Sequence, residues 1–511
     1  MNSRFLSPSR ILQTSGIVLA LAAHFFGQQA ANPQTQTQPP AANVPVTATF
    51  KTQSDLVLVP VVVLQKGKRL SGLSKESFTL EENGKPQIIS SFEEVLPAAS
   101  STPLSPAPDR GFSNVAFNGS NQSRLVILVL DLLNTTILQR SDGRDDLLKL
   151  LSKSSLANQP VALLCMTNKG LKLVQPYTTD TAALVRSLKS FPLGPETIMA
   201  LENRLFLTIA MITEIAQAYS GVPGRKTMIF ATQYLPEIVQ ESGIRESTLY
   251  AEGLHRMWRS LINSNIAVYV VRLMDWARNP ARGGVGMRSI DFAEATGGNL
   301  CVEANALLDC LTQAVEDSRS YYMLGFVVPP DDRKPGWRDL KVKVSAEHAD
   351  VRARTGFYFR EPPSNDPKAV HDEIIGALAS SVGYSSVPMF VNVVSPSGSN
   401  DPPHAAAGAK TTVEFLVTIP VSGINIDSLR SYPLDLQVGV IALTRDVREQ
   451  AEFSHDVRGA PSPENLEAWA RDGIKIQEKL DLPAGSYDLR FFVRDNNAGR
   501  IGTVVFPQDV K

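Results

Sequence analysis

The feature that most constrains the fold is an unbroken apolar run that ends in an acid. Leu125-Val-Ile-Leu-Val-Leu is followed by Asp131, two leucines, and then Asn134 and Thr135. A run of this kind predicts a strand buried on both faces, as in a parallel sheet. Open α/β sheets bind their ligands at the carboxyl ends of such strands. We therefore expect Asp131 to lie at the rim of a sheet.

Strand and helix patterns alternate from about residue 124 to 326. Helical patterns lie between further apolar segments at 161–166, 224–231, 266–271 and 321–326. Repeated β–α units predict a parallel-dominated sheet with helices on both faces. We expect the strand 321–326 to finish this unit.

The segments on either side have the alternation and turn residues of β structure. Asn83-Gly84 lies between two strand patterns within 48–97, and Asn-Gly is a strong hairpin signal. We expect 48–97 and 335–361 to form two halves of one β-sandwich, with the α/β unit inserted between them. Residues 97–122 are predicted to be an exposed linker. Residues 385–511 have the strand spacing of an immunoglobulin-like sandwich.

The first thirty residues have the pattern of a secretory signal peptide. Arg4 and Arg10 precede a short apolar segment, 16–26, which is followed by small residues. The alternative is an uncleaved anchor. We predict a signal peptide over 1–30, a disordered Gln/Pro/Ala-rich linker over 31–47, and no transmembrane anchor after signal cleavage. The expected location is the periplasm, the cell envelope or the extracellular space.

Charge and cysteine content exclude several classes of protein. A net charge of −1 over 511 residues gives no electrostatic bias towards nucleic acid, so we expect no nucleic-acid partner. The three cysteines, Cys165, Cys301 and Cys310, form neither a disulfide scaffold nor a zinc motif. Cys301 and Cys310 could pair in an oxidising compartment. The helical pattern around Cys310 favours a free buried thiol.

Six short motifs, in their order and spacing along the chain, together resemble one protein family. The motifs are Leu80-Glu-Glu-Asn-Gly-Lys-Pro-Gln87, Asp131-Leu-Leu-Asn-Thr135, Pro223-Gly-Arg-Lys-Thr-Met-Ile-Phe230, Ala295-Thr-Gly-Gly298, Tyr321-Tyr-Met-Leu-Gly-Phe326 and Val351-Arg-Ala-Arg-Thr-Gly-Phe-Tyr358. Residues 48–360 resemble the secreted bacterial "VWFA-related domain" proteins. The resemblance implies the fold class α/β, with a von Willebrand factor A-like, doubly wound, mostly parallel sheet over 123–327. That sheet would be inserted in or flanked by the first β-sandwich and followed by the C-terminal all-β sandwich.

The same resemblance implies a site on top of the sheet. In the family, Asp-x-Ser-x-Ser after the first strand and two later oxygen ligands hold a divalent cation. Asp131 and Thr135 match the first and third positions, but Leu133 stands where the first serine should be and cannot ligate. No aspartate follows the strand 224–231, and Thr197 is the candidate for the loop threonine. The metal site is therefore predicted to be degenerate, with no cofactor.

Two alternatives for these residues remain open. Asp131 and Thr135 could bind Mg²⁺ or Ca²⁺, with Asn134 replacing a missing oxygen. They could instead hydrogen-bond the loop backbone and cap the turn that follows.

The predicted function is non-catalytic protein binding. No nucleophile–base constellation occurs in the sequence, so no enzyme activity and no small-molecule substrate are expected. We expect an exported module of the adhesion type that binds an unidentified protein through Asp131, Asn134, Thr135 and the loops around them. The alternatives are a metal-dependent binder of the same kind, a structural component of the cell envelope, and an enzyme whose site is assembled across domains.

Overall fold

The computed structural model of this chain describes most residues from 55 to 510. The segments outside the description are 97–110, 115–124, 153–158, 196–198, 223, 233–247, 273–292, 302–306, 330–331, 333, 360–362, 365, 395–409, 421–432, 445 and 447–448. The predicted signal peptide (1–30) and linker (31–47) also lie outside the described residues. All described residues belong to one unit, 53–511.

The described elements are strands and helices in the following order. The strands are β1 (Asp55–Gln65), β2 (Lys68–Arg69), β3 (Phe78–Glu82), β4 (Lys85–Gln87), β5 (Ile89–Val95), β6 (Gly111–Ser113), β7 (Val126–Asp131), β8 (Val161–Thr167), β9 (Gly170–Thr178), β10 (Lys226–Thr232), β11 (Ile266–Arg272), β12 (Asn299–Cys301), β13 (Tyr321–Val328), β14 (Gly336–Val344), β15 (Ala349–Ala353), β16 (Gly356–Phe359), β17 (Phe390–Val394), β18 (Lys410–Ile419), β19 (Leu434–Thr444), β20 (Glu449–Gly459), β21 (Ile474–Pro483), β22 (Gly485–Asp495) and β23 (Arg500–Val510). The helices are α1 (Ile137–Leu151), α2 (Thr181–Ser190), α3 (Leu201–Ala218), α4 (Thr248–Asn263), α5 (Leu307–Arg319), α6 (Pro367–Ala379) and α7 (Pro463–Asp472), and Lys75–Ser77 form a 3-10 turn.

The strand that carries Asp131 lies inside a six-stranded sheet of order β12-β11-β10-β7-β8-β9. All its pairs are parallel except β8 with β9. Every residue of β7 is buried, as the apolar run predicts. Its alternate residues enter two separate apolar clusters, one shared with α3 and α4 and the other with α1, α2 and α5.

Two antiparallel sheets form a sandwich from the two ends of the 55–359 region. One sheet has the order β15-β1-β13-β5 and the other β16-β14-β3-β4. Val59, Leu80, Phe326 and Phe357 belong to the core between them. Strands before and after the six-stranded sheet therefore pair with each other, as the sequence predicts for segments 48–97 and 335–361.

The C-terminal region forms a second pair of antiparallel sheets. Their orders are β21-β18-β17-β6 and β20-β19-β22-β23, and both contribute to one apolar core. Strand β6 comes from residues 111–113, inside the segment 97–122 that was predicted to be a linker. That prediction is wrong for Gly111–Ser113, because turn-forming residues around a three-residue strand hide its pattern.

The predicted fold class, α/β with a von Willebrand factor A-like doubly wound sheet, is wrong for this chain. The structure is mostly β, with 50% of the described residues in strands and 28% in helices. Four of the five sheets are antiparallel throughout, and parallel pairing is confined to the sheet that contains β7. The alternating pattern is confined to 124–326, whereas the strands on either side of that segment form antiparallel sheets.

Strand β13 accounts for part of this error. It was predicted to finish the α/β unit, but it pairs antiparallel with β1 and β5. Its side chains Tyr322, Leu324 and Phe326 fill the core of the first sandwich. An apolar strand pattern gives no information about which sheet the strand joins.

The favoured prediction of a free thiol at Cys310 is also wrong. Cys301 and Cys310 form a disulfide between the edge strand β12 and helix α5. Cys165 is the free cysteine, and it is buried in β8 as predicted.

Candidate functional site

The carboxylate of Asp131 lies at the carboxyl end of β7 and is completely buried. Its Oδ1 accepts hydrogen bonds from the backbone N–H groups of Leu133 and Asn134, both at 2.9 Å. A short acceptor side chain that bonds the backbone two and three residues later stabilises a tight turn. The loop therefore folds back over the end of its own strand.

The other carboxylate oxygen is held by two side chains. Oδ2 of Asp131 accepts from Nδ2 of Asn134 at 2.9 Å and from the hydroxyl of Thr232 at 2.6 Å. Thr232 is the last residue of β10, the neighbouring parallel strand, and it is buried. The turn after β7 is thus fixed to the adjacent strand.

Asn134 also connects this loop to helix α3. Its Nδ2 donates to the hydroxyl of Thr208 at 2.9 Å, and that hydroxyl donates to the carbonyl of Arg204 at 2.8 Å. The hydroxyl of Thr135 donates to the backbone carbonyl of Asp131. Asp131, Asn134 and Thr135 thus make their hydrogen bonds to groups within the protein.

The next residues begin helix α1 with a reciprocal cap. The backbone N–H and hydroxyl of Thr136 donate to Oε1 of Gln139 at 2.9 and 2.8 Å, and the N–H of Gln139 approaches the Thr136 hydroxyl at 3.5 Å. This is the arrangement of a capping box, Thr-x-x-Gln. Helix α1 accordingly starts at Ile137, directly after this cap.

A buried arginine holds a second loop beside the first. Arg140 is 1% exposed, and its guanidinium donates to the carbonyls of Leu132, Leu193, Gly194 and Pro195. A guanidinium has five N–H donors in a planar arrangement, which suits such a set of converging carbonyls. The chain at 193–195 is therefore tied to the turn that follows Asp131.

Burial dominates the electrostatics of Asp131. Removal from water raises the pKa of its carboxyl, while the donors from Thr232, Asn134 and Leu133 act in the opposite direction. The four hydrogen bonds offset only part of the cost of burying the charge. The carboxylate is consequently a structural acceptor and not a solvent-facing charge.

These residues do not fit the divalent-cation site that the resemblance implies. Both oxygens of Asp131 already accept two hydrogen bonds each, and the Thr135 hydroxyl is turned towards a backbone carbonyl. Leu133 is 1% exposed and contributes to the apolar core. In the part of the chain that the structure describes, no group of three or more His, Cys, Asp or Glu side chains could hold a metal ion. A hard cation with so few free oxygen ligands would be bound weakly.

Exposed side chains at this rim follow the buried ones directly. Asp131, Asn134 and Thr135, which the sequence singled out for binding, are at most 7% exposed. Ile137 and Leu138 are 53% and 65% exposed, and Thr136 is exposed as well. We call Thr136–Leu138 the rim surface. The residues that the sequence singled out lie beneath this surface and hold its turn in place.

Sequence reasoning missed Thr208, Thr232 and Arg140. Thr197, which was proposed as the loop threonine, lies outside the described residues. The one available signal for Thr232 was its position at the end of an apolar strand, as Asp131 ends β7. Nothing in the sequence indicates that Thr208, in mid-helix, meets Asn134.

None of the helices among the described residues is long and apolar enough to cross a membrane.

Comparisons with known proteins give no family. No family model matches this chain, and no curated protein matches it. Among solved structures, proximal thread matrix protein 1 from the mussel byssus is 12% identical over 38% of this chain and 48% of its own, with a TM-score of 0.27. The N-terminal domain of TFIIH p34 is 12% identical over 38% of this chain and 96% of its own, with a TM-score of 0.24.

A third structure covers more of this chain. The pilus adhesin SpaC from Lactobacillus rhamnosus GG is 10% identical over 78% of this chain and 57% of its own, with a TM-score of 0.27. This chain spans about half the length of the thread matrix protein and of the adhesin. At these TM-scores the similarities support no conclusion about fold or function.

Proposed function

We propose that this chain is an exported, non-catalytic protein-binding module of the adhesion type, and that the rim surface Thr136–Leu138 contacts the partner. The proposal rests on one observation. Two neighbouring exposed apolar side chains, Ile137 and Leu138, follow a turn whose polar atoms are held by buried hydrogen bonds. A rigid loop loses little conformational entropy when it binds, so its apolar contacts are converted into affinity more fully.

The buried network supports binding in preference to catalysis. Asp131 is inaccessible to a substrate, and its raised pKa has a structural cause, burial beside neutral donors. Acid–base catalysis needs a titrating group within reach of a substrate proton. The metal-dependent version of the module is the less favoured alternative, because the oxygens it needs are engaged.

The disulfide supports the proposal of export. Disulfides persist in oxidising compartments such as the periplasm and the extracellular space. Cys301 and Cys310 are joined across β12 and α5. The relation to the secreted VWFA-related proteins stays a prediction from the motifs in 48–360.

Affinity capture from cell-envelope extracts tests the proposal. The double variant Ile137→Ser/Leu138→Ser should lose a captured protein that the wild type retains, at unchanged thermal stability. Ile88→Ser is the matched control, since Ile88 is an apolar side chain that is 85% exposed and lies between β4 and β5 of the first sandwich. Retention of the same protein by the double variant would contradict the proposal. Loss of the protein on addition of EDTA would favour the metal-dependent alternative.

A further inference from the structure

Two edge strands of the C-terminal sandwich lie on the same side of its core. Strand β20 ends one sheet, β21 ends the other, and helix α7 connects them. Leu466 and Trp469 of this helix pack against the core between the sheets. Among the described strands, β20 and β21 each pair with a neighbour on one side only. Side-chain contacts therefore hold this side of the sandwich together, and we call β20, α7 and β21 the sandwich edge.

The inward face of each edge strand is an apolar row that one ionisable residue interrupts. Buried and exposed residues alternate along β21, and its buried row is Ile474, Ile476, Glu478, Leu480 and Leu482. The half-buried row of β20 is Ala451, Phe453, His455 and Val457. A carboxyl group and an imidazole thus stand where the pattern of each strand would place an apolar side chain.

These two interruptions face each other across the gap between the sheets. Oε1 of Glu478 lies 3.4 Å from Nδ1 of His455. Both atoms are buried, and neither has a hydrogen-bond partner among the described residues. The side chain of Glu478 is 7% exposed and that of His455 is 38% exposed. Because a buried polar atom without a partner is costly, the two atoms are placed to satisfy each other.

The neighbouring strands present only apolar side chains to this pair. Phe415 of β18 lies opposite Glu478, and Val438 of β19 lies opposite His455. Both neighbours belong to the buried core of the sandwich. Burial accordingly raises the pKa of Glu478 to about 7 and lowers that of His455.

The charged groups around the pair lie on the outer surface. Lys479 of β21 and Glu414 of β18 form an ion pair on the outward face of their sheet. Asp456 of β20 is paired with Arg458, and it is the one charge that acts on the pKa of His455. The charged residues of α7 are all exposed, and they are Glu464, Glu467, Arg471 and Asp472. The protonation of Glu478 and His455 is therefore governed by the pair itself and by its burial.

The pair carries no net charge only when it holds one proton. A protonated carboxyl can then donate to Nδ1 of a neutral imidazole ring. Loss of that proton leaves a carboxylate in apolar surroundings, and gain of a second proton leaves an imidazolium there. Either charge favours the entry of water, which needs only the separation of two edge strands.

We propose that Glu478 and His455 form a proton-operated latch that closes the sandwich edge while the pair holds one proton. With none or with two protons, the edge opens locally and exposes the apolar rows of β20 and β21, while β22 and β23 stay folded. The closed range ends near pH 7, where the carboxyl ionises, and below the usual pKa of histidine, where the ring becomes charged. The latch is independent of the function proposed for the rim surface.

Amide hydrogen exchange of the full chain at several pH values tests the latch. After correction for the intrinsic exchange rate, protection of the sandwich edge relative to β22 should fall about tenfold or more between pH 6.5 and pH 8.5. Glu478→Gln should keep its protection at pH 8.5, because an amide has no proton to lose there. Glu414→Gln is the matched control. It removes an outward-facing carboxyl from the neighbouring strand and should respond to pH like the wild type.

The double variant Glu478→Leu/His455→Leu provides a second test that does not depend on the amide. It completes both apolar rows, so the protection of its sandwich edge should be the same on either side of the closed range. Wild-type protection of the edge that is equal at pH 6.5 and pH 8.5 overturns the proposal. So does a loss that affects β22 to the same extent as the edge, or one that persists in Glu478→Gln.

Discussion

The hydroxyl of Thr232 donates a hydrogen bond of 2.6 Å to the buried Oδ2 of Asp131. The two residues end neighbouring parallel strands, β10 and β7. A threonine therefore stands beside Asp131 at the end of β10. A neutral donor at this position satisfies the first carboxylate internally, whereas a second carboxylate would repel it unless a cation lay between them.

Removal of the Asp131 carboxylate should be strongly destabilising. Asp131→Ala leaves the donors of Leu133, Asn134 and Thr232 without this acceptor in a buried site. We expect a loss of about 3 kcal/mol in the free energy of unfolding, measured by urea denaturation. Asp145→Ala, at an exposed position of α1, should change it by less than about 0.5 kcal/mol. Equal stability of the two variants would show that the network does not hold the turn.

The ion pair of Arg338 with Glu82 should depend on both partners. Their side chains are 5% and 3% exposed, and the pair joins β14 to β3 in the first sandwich. Arg338→Met leaves a buried carboxylate unpaired and should cost about 3–5 kcal/mol. The double variant Arg338→Met/Glu82→Leu should recover much of that loss, because no buried charge remains. Additive losses in the double variant would mean that the two side chains are not coupled.

The thiol chemistry of the chain should distinguish its three cysteines. With Cys301 and Cys310 joined and Cys165 buried, a thiol reagent should find no reactive group in the native protein and one after unfolding. Burial raises the pKa of Cys165 to about 12, which further suppresses its native reactivity. Cys301→Ser/Cys310→Ser should lose about 2 kcal/mol of stability, since the disulfide closes a short loop. Three reactive thiols in the unfolded, unreduced protein would rule out the disulfide.

The pH dependence of stability should contain a contribution from Glu478. This residue faces the core of the C-terminal sandwich, and its Oε1 lies 3.4 Å from Nδ1 of His455 without a hydrogen bond. Burial raises the pKa of Glu478 from 4.5 to about 7. The native state thus binds the proton of the Glu478 carboxyl more tightly than the unfolded chain does. The resulting contribution to the free energy of unfolding is complete below pH 4.5 and is lost as the pH rises towards 7.

Glu478→Gln tests this assignment by comparison with the wild type at two pH values. At pH 8 the variant should be more stable by about 1–2 kcal/mol, because the wild type then buries a charge that the amide does not have. Near pH 4.5 the two proteins should be about equally stable. His455 lies beside this carboxyl, but burial lowers its pKa below 6.5, so its ring is neutral at pH 8 and adds no charge to the comparison there. A variant that is less stable than the wild type at pH 8 would refute the assignment.

Local patterns in this sequence predicted elements better than their assembly. The strand ending at Asp131 and the buried Cys165 follow from apolar periodicity, which depends only on neighbouring residues. The pairing of the strand that contains Tyr322 does not follow from periodicity, because a strand of the same composition could pair in either sheet. Residues 111–113 form a strand only because β17 and Phe506 receive them, which no local propensity encodes.

The candidate site shows the same difference between local contacts, which the sequence indicates, and long-range contacts, which it does not. Asp131, Asn134 and Thr135 were identified from one contiguous motif, and the structure brings them together in one turn. Their outer partners Thr208 and Thr232 are 74 and 101 positions away from the residues they contact. The sequence therefore indicated where the turn lies and left internal hydrogen bonding of Asp131 and Thr135 as one of two alternatives, but it did not identify Thr208 or Thr232 as partners.

Hydrogen exchange at the amides of Leu133 and Asn134 tests the central claim most directly. Both amides donate to Oδ1 of Asp131 in a buried turn. We predict strong protection in the wild type, equal in the presence of EDTA and of Mg²⁺, and a loss of protection of at least a hundredfold in Asp131→Ala. Free exchange of these amides in the wild type, or protection that requires the cation, would contradict the account that internal hydrogen bonds alone hold the rim surface in place.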